Sequence, residues 1–120
     1  MRMGDEPIAD MREPSLSDWN WAVLMLQQAM LGAISANFRV VELAYEGGGW
    51  IVRVTLAEDD PSDREEIKEI CDSMWVYLAD IRDRIDACAY TDVRADVLVS
   101  HAPLILEPRS APRVVFQRRE

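Results

Sequence analysis

The 120-residue sequence has few of the residues on which catalytic and metal sites are usually built. It contains one histidine and two cysteines, and Cys71 and Cys88 are too far apart for a Cys-x-x-Cys redox pair or a zinc ribbon. His101 has no second histidine to complete a metal site, and no Gly-x-Ser-x-Gly nucleophile elbow occurs. We therefore predict no catalytic site, no metal and no cofactor, and we interpret both cysteines as reduced core residues.

Long apolar runs are also missing. The longest, Trp21–Leu26, is far shorter than the roughly 20 residues that cross a bilayer. Residues 1–13 mix acidic side chains with proline and do not place a basic stretch before an apolar one, as a secretion signal would. The sequence predicts no membrane segment and no secretion signal, so we expect a cytoplasmic protein.

Positive charge is scarce. Twenty-two acidic residues stand against 13 basic ones, and the formal net charge is −9. A field of this sign repels phosphate backbones and attracts basic surfaces. We therefore expect neither nucleic acid nor a membrane as a partner, and we expect a basic protein surface instead.

The remaining composition is sufficient for one folded domain. The length is typical of a single domain, and 49% of the residues are hydrophobic. Residues 1–13 show neither helical nor strand periodicity and are predicted to form a flexible N-terminal arm. Residues 14–120 are predicted to form a single α+β domain.

Hydrophobic periodicity predicts two helices. The first follows the candidate N-cap hydroxyls of Ser15 and Ser17, runs from Trp19 and ends near Gly32. The second begins where Asp60 serves as N-cap before a proline. Apolar residues spaced three and four apart predict its core face; they are Ile67, Ile70, Cys71, Met74, Leu78, Ile81 and Ile85.

Alternating and β-branched segments predict four strands. Phe38–Glu46 and Trp50–Ala57 flank Gly47–Gly49, a pattern typical of a β-hairpin. Val93–Ser100 predicts a third strand and Arg113–Gln117 a short fourth one. We expect a two-layer αββαββ domain, in which one mostly antiparallel four-stranded sheet packs against two helices.

The most unusual segment is the acidic block from Glu58 to Asp72, with eight carboxylates against two cations. It has two interpretations. One is a solvated helix face with favourable negative charge at the helix N-terminus. The other is a docking surface for a basic protein, because like charges this close repel one another until a partner or salt screens them. The candidate partner-binding residues are Asp60, Asp63, Glu65, Glu66, Glu69 and Asp72.

The first helix is apolar on most of its circumference. Such a helix is either enclosed in its own domain or docks onto another chain. Trp19 and Trp21 are therefore either core residues or buried anchors of an interface.

Two segments of the chain resemble bacterial immunity proteins. They are Met30–Arg39, which reads M-L-G-A-I-S-A-N-F-R, and Glu58–Ile70. The resemblance is to the small partners of contact-dependent growth inhibition and polymorphic toxins, and it covers about half of the chain. It implies a cytosolic antitoxin that binds and neutralises a cognate toxin domain. Many such toxin domains are basic nucleases, for which an acidic surface would speed encounter and mimic phosphates.

Two other classes of function remain open. A homodimeric structural or interaction subunit would use the apolar face of the first helix. A small carboxylate-dependent enzyme would require a deep pocket that holds a carboxylate of raised pKa.

Overall fold

The computed structural model describes residues 13–84, 92–103 and 113–118. Their helices and strands follow the predicted αββαββ order. They are α1 Leu16–Met30, β1 Phe38–Glu46, β2 Gly49–Leu56, α2 Pro61–Asp80, a 3₁₀ turn Arg82–Arg84, β3 Val93–Val99 and β4 Arg113–Gln117. Apart from Glu13, the predicted N-terminal arm lies outside the described residues.

The four strands form one mixed sheet in the order β3-β2-β1-β4. β1 pairs antiparallel with both β2 and β4, whereas β2 pairs parallel with β3. The parallel pair is possible because α2 carries the chain back across the sheet between β2 and β3. Two of the three pairs are antiparallel, which confirms the predicted mostly antiparallel α+β sheet.

The predicted hairpin joins β1 to β2 through a tight turn. Gly47 and Gly48 have φ values of 61° and 81°. Two consecutive positive φ angles favour glycine and suit a two-residue hairpin turn, whose twist matches that of the flanking strands. Gly49 already belongs to β2, so this strand begins one residue earlier than predicted.

α1 begins three residues before the predicted start because Ser15 and Asp18 form a capping box. The Asp18 backbone N–H donates to Ser15 Oγ, and the Ser15 N–H donates to Asp18 Oδ2, both at 3.1 Å. The Asp18 side chain is buried at this helix start. The helix ends at Met30, just before Gly32 with its positive φ of 78°.

Trp50 lies at the centre of the core between the sheet and the helices. Its side chain is fully buried, and the rings of Trp19 and Tyr45 meet it edge-on at centroid distances of 5.0 and 4.9 Å. Such edge-to-face contacts add to the burial of apolar area. The alternate residues of β2 that share this face are fully buried: Trp50, Val52, Val54 and Leu56.

The predicted stripe of α2 is buried from Ile67 to Leu78. Ile81 follows the helix and is partly buried, and Ile85 lies outside the described residues. Neither described helix is long and apolar enough to cross a membrane.

The opposite sheet face is less exposed than the alternating pattern predicts. Thr55 and Ile51 are buried, and Arg53 is partly buried. Arg53 Nε donates to Asp96 Oδ2 at 3.0 Å, so the charge on this face is paired across neighbouring strands.

Truncation of the central tryptophan should destabilise the domain severely. We expect Trp50→Ala to lower the free energy of unfolding by about 3–5 kcal/mol, because it leaves a cavity and removes both ring contacts. Trp75→Ala, at a half-exposed position of α2, is the control and should lower it by about 2 kcal/mol or less. Urea unfolding of the two variants measures both values. Equal losses would contradict this assignment of the core.

Candidate functional site

The acidic block forms the three residues before α2 and the first three turns of this helix. Asp60 is the N-cap, and its Oδ1 accepts hydrogen bonds from the backbone N–H groups of Ser62 and Asp63 at 2.8 and 3.2 Å. Pro61 occupies the first turn, where a missing N–H costs nothing. The helix start is therefore as predicted, and the Asp60 carboxylate is engaged in forming it.

Asp63 points into the protein and is only 8% exposed. Its Oδ2 accepts a hydrogen bond from Asn37 Nδ2 at 2.9 Å. The same amide nitrogen donates to the Glu58 carbonyl at 2.7 Å, and Asn37 Oδ1 accepts from the Glu58 N–H at 2.9 Å. These three bonds, which we call the Asn37 bridge, tie the segment before β1 to the start of α2.

The outward side of α2 carries three of the six predicted residues together. Glu65, Glu69 and Asp72 are spaced four and three residues apart, so they share one helix face, and all three are exposed. We call this row the acidic ridge. Glu66 is partly exposed and lies on a flank of the helix.

The acidic ridge is not neutralised by the cations of the block. Arg64 Nε bonds to Asp59 Oδ1 at 2.6 Å in an exposed ion pair. Lys68 forms no ion pair with any described carboxylate, and the ridge carboxylates form none with a described cation. Three carboxylates along one helix face thus leave a locally negative surface.

An exposed apolar pair, Trp75 and Val76, continues the ridge toward the end of α2. Their side chains are 47% and 48% exposed. Val76 follows Asp72 by four residues and so extends the same face, and Trp75 lies beside it. The apolar periodicity of α2 did not indicate this pair, because it marks the buried stripe. Their position outside that stripe was the signal that could have revealed them.

The described surface includes two open depressions. A polar depression of about 530 Å³ is lined by Ala79, Asp80, Arg82 and Asp83. An apolar groove of about 360 Å³ lies between α1 and β4. Neither includes a residue of the acidic ridge.

The predicted core role of Cys71 is confirmed. Its free thiol is buried. Burial, with a smaller contribution from the neighbouring Asp72 charge, raises the pKa of the Cys71 thiol to about 12. The thiol stays protonated near neutral pH and is a poor nucleophile. Cys88 lies outside the described residues, and His101 is exposed after β3.

The surface of α1 differs from that of α2 because it lacks exposed charge. Leu16 and Leu24 are 68% and 50% exposed on one side of the helix, and Leu31, just after its end, is 72% exposed. Trp19 packs on Trp50, and the Arg113 guanidinium lies 4.8 Å from its ring centroid, so Trp19 belongs to the core. The apolar groove borders this side, with lining residues Asn20, Val23, Leu24, Arg113 and Val114.

Comparison with known proteins yields one family. A family model described as "MafI2 immunity protein" matches residues 19–120. The match covers all four described strands, α2 with its acidic ridge, and α1 except its first turn. Among curated proteins, none matches the chain.

Removal of the Asn37 side chain should destabilise the start of α2. We expect Asn37→Ala to lower the free energy of unfolding by about 1–3 kcal/mol, because it leaves the buried Asp63 carboxylate without this donor. Glu65→Ala, on the exposed ridge, should change it by about 0.5 kcal/mol or less. Urea unfolding monitored by circular dichroism provides both values. A loss for Asn37→Ala as small as that for Glu65→Ala would show that the bridge contributes little.

Proposed function

The chain belongs to the MafI2 immunity protein family, and we propose that it neutralises a basic toxin domain by binding it through the outer face of α2. The family gives it the role of a non-enzymatic inhibitor with a cognate toxin as partner. The observation that supports our choice of surface is the acidic ridge, whose carboxylates are exposed and form no ion pair with a described cation.

A basic toxin would gain from this surface in two ways. The acidic ridge would attract the positively charged toxin over several ångströms, and this attraction raises the association rate. If the toxin is a nuclease, the ridge carboxylates would occupy sites that normally hold phosphate groups. We propose that Glu65, Glu69 and Asp72 contact the toxin directly and that Glu66 borders the contact.

The other two predicted residues act differently in this proposal. Asp60 caps the helix and Asp63 is held by the Asn37 bridge, so both carboxylates already bond within the chain. Their part in toxin binding is to fix the direction of α2. Substitutions at these two positions would weaken binding by loosening the helix start.

The biological setting is a further part of the proposal. We propose that the toxin belongs to a contact-dependent growth inhibition or polymorphic toxin system and that inhibition takes place in the cytoplasm. A net charge of −9 supports a protein partner over nucleic acid or an anionic membrane surface.

Neutralisation of the ridge should slow binding. We expect Glu65→Gln/Glu69→Gln to lower the association rate constant about 10-fold at low salt, because electrostatic steering is reduced. The partner to test is the C-terminal domain of any large secreted protein that is found to be encoded immediately upstream, and surface plasmon resonance measures the rates. Wild-type association should also slow between about 0.01 M and about 0.15 M salt, as the Debye length shrinks from roughly 30 Å to roughly 8 Å.

A control with the same change in net charge isolates the surface. Glu13→Gln/Glu46→Gln removes two exposed carboxylates outside α2. Glu46 lies at the end of β1, and its contact with Arg53 at 3.9 Å is an exposed pair of little weight. An equal slowing of both double variants would contradict binding through the acidic ridge, and absence of wild-type binding would contradict the whole proposal.

A homodimer is the second candidate assembly, and the exposed leucines of α1 favour it. Two copies could bring their uncharged α1 faces together without placing their acidic ridges opposite each other. In that case sedimentation equilibrium would give twice the chain mass, and Leu24→Arg would restore the monomer because it would bury a charge in the interface. A wild-type chain that remains monomeric at the highest soluble concentration would contradict this assembly.

A further inference from the structure

The acidic ridge ends in an exposed apolar pair that lies outside the buried face of α2. Met74 and Leu78 complete the buried face of α2 on its inner side, whereas Trp75 and Val76 point away from it. Within the described residues, no aromatic ring or cation is recorded against the Trp75 ring. Tryptophan is enriched at interfaces because its large ring contributes strongly once it is desolvated.

We propose that Trp75 and Val76 form the apolar anchor of the toxin interface and enter a cleft in the toxin that is rimmed by Arg or Lys. The inference rests on the proposed function and deepens it, because it names the residues that hold the complex together after encounter. The acidic ridge supplies attraction, and the apolar pair supplies the lasting contact.

The arrangement of charges around the pair supports this division. Asp72 lies one turn before Val76, and Asp80 lies one turn after it, on the exposed side of the helix. The polar depression formed with Arg82 and Asp83 adjoins Asp80. An apolar centre with a polar rim is the usual organisation of a binding hot spot, because the rim keeps water away from the anchor.

Charge identifies the occupant of this surface as a basic partner and not as a second copy of the chain. Two copies meeting at Trp75 would bring two acidic ridges together, and each chain has a net charge of −9. Like charges placed opposite each other in an interface are strongly unfavourable. The uncharged α1 face offers a second copy a better surface, whereas a basic cleft matches the ridge.

The anchor and the ridge should therefore affect different rate constants. Exposed charges at the edge of an interface act mainly on association, and a desolvated anchor acts mainly on dissociation. Loss of Trp75 should release the toxin faster without slowing encounter. Loss of ridge charge should slow encounter and leave release less affected.

The test compares the rates of toxin binding for Trp75→Ala, Trp75→Phe and a control, all in the full chain. We expect Trp75→Ala to raise Kd at least about 30-fold, mostly through the dissociation rate, with the association rate changed by less than about threefold. Trp75→Phe should recover most of the affinity, because a ring still fills the cleft. Leu24→Ala, at a similarly exposed apolar residue of α1, should bind within about threefold of wild type.

Three outcomes would overturn the inference. If Trp75→Ala binds like wild type while Glu65→Gln/Glu69→Gln slows association, the anchor is wrong and the acidic surface stands. If the wild-type chain binds no toxin, the proposed function fails and the anchor fails with it. If wild type is a dimer and Trp75→Ala is a monomer in sedimentation equilibrium, the occupant is a second copy.

Discussion

The burial of the apolar stripe of α2 fixes which side of this helix faces the core, and the hydrogen bond between Asn37 and Asp63 extends the buried side to the helix start. Asn37 lies just before β1, and its amide also bonds to the backbone of Glu58, so the two ends of the hairpin meet at the helix start. Once Asp63 points inward, the helical period places Glu65, Glu69 and Asp72 on the opposite side. The repulsion between these like charges is offset by the start of α2, which Asp60 caps and the partly buried Asn37 bridge stabilises.

The sheet order then separates two kinds of surface. α2 packs beside β3, whereas α1 lies next to β4, where Arg113 covers Trp19. Because β3 and β4 are at opposite edges of the described sheet, the acidic surface and the uncharged apolar surface lie on different sides of the domain. A toxin on α2 and a second copy on α1 would therefore not compete for the same residues.

The family match and the properties of the α2 surface are independent observations that agree with each other. Family membership identifies a non-enzymatic inhibitor and a toxin partner. The choice of α2 rests on charge and exposure. In the proposed complex, the acidic ridge would supply long-range attraction and the apolar pair would supply a contact that excludes water.

The sequence by itself determined the features that depend on neighbouring residues. Asp60 and Pro61 set the start of α2, two glycines set the hairpin turn, and periodicity set the buried faces, because caps, turns and amphipathic patterns are local. The block of carboxylates was also visible. Only the tertiary structure showed which group pairs with the inward Asp63 carboxylate, since its donor lies 26 residues away at Asn37. The degree of exposure of Trp75 was decided in the same way, because a position outside the apolar stripe does not show how much of the ring the neighbouring residues cover.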